Sequence, residues 1–139
     1  MKTFFAYKPA VFLDKHPQED YFLISKKYPI FVIADGVTLE IDKGEKYPEQ
    51  SGAFEAAKIF CEVVLKEAEK RYDKFEEKNL KEIFEIGNKA VLNYNNLHGR
   101  NKKTINYFNF DLFSATTAFL LIKDKKAFWF SLCDSGVKL

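Results

Sequence analysis

The stretch Tyr21-Phe22-Leu23-Ile24-Ser25-Lys26-Lys27-Tyr28-Pro29-Ile30-Phe31-Val32-Ile33-Ala34 decides the fold. Two short apolar runs, Tyr21 to Ile24 and Ile30 to Ala34, flank a polar segment that ends in a proline, the pattern of a β-hairpin. Every residue from Ile30 to Ala34 is apolar, so this run is expected to be a central strand covered on both faces.

Downstream the period changes. Between Gln50 and Tyr72, Ala53, Ala57, Phe60, Val64 and Ala68 recur at three- and four-residue spacing, with Glu and Lys on the other faces, which predicts an amphipathic helix. A second stripe, Leu80, Ile83, Phe84, Gly87, Ala90, Val91 and Tyr94, predicts another helix, and Asn79 followed by Glu82 reads as its capping box. Two consecutive helices are expected to pack antiparallel through a short turn. Asn95 to Leu112 reads as a surface loop with a short strand near Tyr107-Phe108. Strands then return: Thr116 to Ile122 and Ala127 to Cys133 flank the polar turn Lys123-Asp124-Lys125-Lys126. The order of strands, two helices and strands does not alternate as a doubly wound fold does. It predicts an α+β layered architecture, helices on a mainly antiparallel sheet.

Composition narrows the function classes. The 139 residues are 47% hydrophobic and carry 22 Lys+Arg against 20 Asp+Glu, so one globular domain is expected, with no strong field toward nucleic acid or an anionic membrane. Neither a signal peptide nor an uncharged transmembrane run is evident, and the expected compartment is the cytoplasm. Cys61 and Cys133 each lie in an apolar segment and read as reduced core thiols. His16 and His98 fit no zinc-ligand or nucleophile-elbow spacing, and the glycines form no phosphate-binding loop. Arg100, Lys102 and Lys103 read as a solvated face, and Tyr107, Phe108, Phe110 and Phe113 as core.

The acidic residues carry the chemistry. In an antiparallel hairpin the numbers of facing residues sum to a constant, and a turn centred near Lys27 sets that sum at roughly 54 to 55. Asp35 then faces Glu19 or Asp20, and three carboxylates gather at the open end of the hairpin. They repel one another unless protons, a cationic side chain or a metal ion compensate, and hard Mg²⁺ and Mn²⁺ prefer such oxygen ligands. Gly36, lacking a Cβ, lets its carbonyl approach an ion and permits a tight exit from the strand. The same arithmetic on the second hairpin brings Asp134, in Asp134-Ser135-Gly136, close to Ala115-Thr116.

Glu19-Asp20, then Ala34-Asp35-Gly36 closing a strand, Ser114-Ala115-Thr116-Thr117-Ala118 opening another, and Cys133-Asp134-Ser135-Gly136 together resemble the PP2C-type metal-dependent protein serine/threonine phosphatases in order and spacing. The resemblance runs from Lys15 to Gly136. It implies a layered sandwich of antiparallel sheets flanked by antiparallel helix pairs, with residues 1–139 as the amino-terminal, incomplete portion of a single such domain. Two further aspartates of the dinuclear site would follow Leu139. It also implies that Asp35 bridges two Mn²⁺ or Mg²⁺ ions, that the Gly36 carbonyl binds one, and that Glu19 ligates directly or through water. Asp20 would support them, and Asp134 would match the aspartate of a third, weaker metal. Lys15 stands where the family usually has the arginine that holds the substrate phosphate, and a lysine supplies charge without the bidentate fork. Val37-Thr38-Leu39 departs from the family's usual His and Gly-Gly after Asp-Gly.

The implied reaction is hydrolysis of a phosphoserine or phosphothreonine ester on a phosphorylated protein, by in-line attack of a metal-activated water with no covalent enzyme intermediate. The competing reading is a non-catalytic phosphatase-like module that binds a partner or phosphopeptide, its metal centre incomplete.

Overall fold

The computed structural model describes residues 18–37, 51–100 and 112–137. Four strands, β1 (Asp20–Ile24), β2 (Ile30–Gly36), β3 (Ala115–Lys123) and β4 (Lys126–Leu132), form one antiparallel sheet in chain order. Two helices, α1 (Gly52–Arg71) and α2 (Lys78–Leu97), lie between β2 and β3 in sequence, joined through a 3-10 turn at Tyr72–Lys74. The molecule is therefore α+β, as its order of periodicities predicts.

Each hairpin has a local cause. In the first, the Ser25 hydroxyl accepts hydrogen bonds from the amides of Lys27 and Tyr28 (both 3.1 Å), closing the turn before Pro29. Asp20 stands opposite Asp35 and Ile24 opposite Phe31, so facing numbers sum to 55. In the second, Asp124 and Lys125 both take positive φ (50° and 62°), the two-residue turn whose twist matches the flanking strands.

Helix α1 starts at Ser51, whose hydroxyl accepts from the Phe54 amide at 3.0 Å. Its predicted stripe of Ala53, Ala57, Phe60, Val64 and Ala68 is buried throughout. Against it lie Ile30, Val32 and Ala34 of β2 and Phe119 and Leu121 of β3, with Ile83 of α2 and Phe75 of the connection closing the cluster. Full burial of one such large side chain contributes about 1.5–3 kcal/mol. Helix α2 doubles back along α1: Phe84 packs edge-on to Phe60 at 5.9 Å, and a Cβ on Gly87 would come within 2.8 Å of Val64. This close approach explains a glycine in mid-helix.

Several expectations are corrected. Helices cover one face of the sheet only, and on the other face Ile33 of β2 is 45% exposed, so among the described residues this strand is not covered on both sides. Asn79 is not the N-cap of α2. It is the second helical residue, its side-chain Oδ1 accepting from the Glu76 amide (2.8 Å) and its Nδ2 donating to the Glu82 carboxylate (2.9 Å), which closes the turn ahead of the helix. Asn95 to Leu97 continue α2 instead of starting a loop, because the Asn95 side chain donates to the carbonyls of Val91 and Phe113 and accepts from the Phe113 amide. Cys61 is buried as expected, whereas Cys133 is exposed, since β4 ends at Leu132 and the chain turns there. The strand expected near Tyr107-Phe108 lies outside the described residues. Among the described residues no helix is long and apolar enough to cross a membrane.

Candidate metal centre

Strand pairing brings the acidic residues together. The Gly36 amide donates to the Glu19 carbonyl at 3.1 Å, extending the β1–β2 ladder one step beyond the Asp20–Asp35 pair. On its other side Asp35 stands opposite Thr116 of β3, and the Val37 amide donates to the Ser114 carbonyl at 2.9 Å. Side chains alternate along a strand. A Cβ on Gly36 would lie 2.6 Å from the Ala53 carbonyl oxygen of α1, so Gly36 faces the helices and Asp35 faces away from them. The glycine is thus required by helix–strand contact as well as by the exit from the strand. Asp20 and Thr116, as cross-strand partners of Asp35, share its face. Glu19, 6% exposed, is the one buried charged residue among the described residues.

The electrostatics follow from this crowding. The Asp35 carboxyl is pushed up to about 6 from an ordinary value of 3.8, first by the partial burial of a group that stays largely open to solvent, then by the hydrogen bond and charge of Asp20, then by the charges of Asp134 and Glu19. Asp20 is oriented by Gln18, whose amide donates to it at 2.6 Å. Asp134 belongs to the turn after β4, entered through Cys133 at φ 62°. The next residue, Ser135, has its hydroxyl 2.6 Å from that of Thr116.

Of the residues singled out in the sequence, Glu19, Asp20, Asp35 and Gly36 are therefore neighbours at one end of the β1–β2 hairpin, and Asp134 acts on Asp35 from the adjoining hairpin. Lys15 and His16 lie outside the described residues, as do Lys102, Lys103, Tyr107, Phe108 and Phe110. Arg100 packs over the Phe113 ring at 4.2 Å, and the exposed His98 places Nδ1 2.9 Å from the Tyr94 carbonyl at the end of α2, both structural contacts. The second hairpin's arithmetic brought Asp134 close to Ala115-Thr116, and the contact found there joins the hydroxyls of Thr116 and Ser135, two polar neighbours to which it gave no role.

The arrangement offers oxygen donors, the chemistry suited to Mg²⁺ or Mn²⁺ and unsuited to soft metals. Among the described residues no group of three or more His, Cys, Asp or Glu is disposed to hold an ion by itself. An ion at Asp35 would therefore draw further ligands from the Gly36 carbonyl, water or residues outside those described. No family model matches the chain, and no curated protein sequence matches it.

Proposed function

We propose that this chain carries the Asp35 side of a metal-dependent phosphatase centre that hydrolyses phosphoserine and phosphothreonine esters of proteins. The observation that carries the proposal is the position of Asp35, pressed by Asp20 and Asp134 at the end of a central strand and raised to about 6. Like charges gathered in this way are costly for the fold alone and fit a site built to receive a cation.

Asp35 and the Gly36 carbonyl hold the ions in this reading, and Glu19 adds a ligand directly or through water. Asp20 orients Asp35 through their hydrogen bond and shares its charge, and Asp134 serves a weaker, third position. Lys15 pairs with the substrate phosphate as a point charge. When bound, Mn²⁺ or Mg²⁺ supplies charge neutralisation at phosphorus and lowers the pKa of water. The test is Mn²⁺-dependent hydrolysis of p-nitrophenyl phosphate by the chain and by Asp35→Asn. Turnover that requires both Mn²⁺ and Asp35 supports the proposal; equal turnover in the two proteins removes it, and none in either removes catalysis by residues 1–139 alone.

A second reading is a non-catalytic phosphatase-like module that binds a phosphorylated partner. It draws on the absence, among the described residues, of three acidic or other ligating side chains set to hold an ion unaided. Mn²⁺-independent binding of a phosphoserine peptide without turnover would favour it.

A further inference from the structure

The ladder between β3 and β4 ends at the pair Thr117–Leu132, so the turn that bears Asp134 lies beyond the backbone hydrogen bonds that fix β4. It is nonetheless held in an unusual shape. Cys133 has φ 62°, a conformation that costs a residue with a Cβ free energy and persists where the surroundings fix it. One contact that ties this turn to the sheet is the hydroxyl pair Thr116 Oγ1 and Ser135 Oγ, 2.6 Å apart and partly buried. Thr116 is also the cross-strand partner of Asp35. One threonine therefore touches both parts of the acidic cluster: its strand position abuts Asp35, and its hydroxyl grips the residue after Asp134. Its β-branched side chain has few rotamers in a strand, so the hydroxyl is aimed at little entropic cost.

We propose that the Thr116–Ser135 hydroxyl pair is a clasp that holds Asp134 within range of Asp35, making Thr116 and Ser135 positioning residues of the metal centre. The inference rests on the metal-binding reading of that cluster. Neither hydroxyl is a ligand; each acts through the turn that carries Asp134. Outer groups of this kind characteristically change metal affinity by 10- to 100-fold.

The test is Mn²⁺ affinity, read from the electron paramagnetic resonance signal of free Mn²⁺, for the full chain and for Thr116→Val, Ser135→Ala, Thr116→Ser, Asp134→Asn and the Thr116→Val/Ser135→Ala double variant. Amide hydrogen exchange at Asp134 and Ser135 is followed in the same proteins. Thr116→Val and Ser135→Ala should each weaken binding about tenfold, toward the Asp134→Asn value, with faster exchange in the turn. The double variant should be no weaker than either single one, because both remove one bond. Thr116→Ser, which keeps the hydroxyl, should bind as the parent chain does. Parent-like Mn²⁺ affinity in Thr116→Val, additive losses in the double variant, or failure of Thr116→Ser to restore binding would overturn the clasp. A parent chain that binds no Mn²⁺ is a distinct result, and overturns the metal reading together with the inference built on it.

Discussion

Replacing Asp35 with asparagine should make the metal-free protein more stable at neutral pH. Asp35 titrates at about 6 when folded and near 3.8 when unfolded, so the folded state holds its proton more tightly. Stability is therefore undiminished below pH 3.8, falls as pH rises through the interval, and carries the full penalty above pH 6. A difference of about two pH units corresponds to about 3 kcal/mol at most. The residue is exposed, and screening by solvent reduces this to about 1 kcal/mol. Asparagine has the same shape, carries no charge, and can donate to Asp20 as the protonated carboxyl does. At ~2 cal/mol/K of unfolding entropy per residue, the 139-residue chain should gain about 3 °C in melting temperature. The assay is thermal melting by circular dichroism in EDTA at pH 7.5 and pH 3.5. Asp35→Asn should melt higher at pH 7.5 and together with the parent at pH 3.5. Excess Mn²⁺ should then raise the parent alone, because binding to the folded state stabilises it. An Asp35→Asn protein that melts at or below the parent at pH 7.5 would refute the claim that the carboxylates are crowded at the expense of the fold.

Other consequences are more local. Gly36→Ala would place a Cβ 2.6 Å from the Ala53 carbonyl, and should cost about 1–3 kcal/mol in urea unfolding; a loss under ~0.5 kcal/mol, the scatter of neutral surface changes, would show that the helix does not bear on this strand. Asn95→Ala strips the partly buried Phe113 amide of its acceptor and two carbonyls of their donor, so urea unfolding should show a loss of about 1–3 kcal/mol, and an unchanged midpoint would dissociate Asn95 from the end of α2. In thiol labelling with a disulfide reagent, Cys133 should react at once in the native protein. Cys61, inaccessible and pushed up to about 12 by burial and by Glu62, should react only after denaturation; two fast thiols would contradict its placement.

What could be read from the sequence was whatever depends on local period and on counting. The hairpin sum put Asp35 against Glu19 or Asp20, and the register is Asp20–Asp35, with Glu19 one step beyond. The stripe from Ala53 to Ala68 buries as a unit because a helix turns a three-to-four spacing into one face. Coverage was less legible. Ile33 is apolar, yet no described element packs on its face, since periodicity reports what a residue prefers and not what reaches it. Cys133 looked like a strand residue until the ladder stopped one position earlier, which depends on how the chain leaves the sheet. Asn79 and Asn95 were legible as polar residues near helix ends. Their actual partners, Glu76 and Glu82 for one and Val91 and Phe113 for the other, follow from where each helix begins and what docks against it. The Ser25–Glu69 and Thr116–Ser135 contacts join residues 44 and 19 positions apart, and depend on how separate elements dock.

The central claim is that the end of the sheet around Asp35 takes up a hard divalent cation, and its most direct test is site-resolved. Mn²⁺ added at substoichiometric levels to the ¹⁵N-labelled chain broadens amide resonances within reach of the bound ion. Asp20, Asp35, Gly36 and Ser135 should broaden first, and Asp35→Asn should abolish the effect. Broadening centred elsewhere, or the same pattern in Asp35→Asn, would contradict the claim.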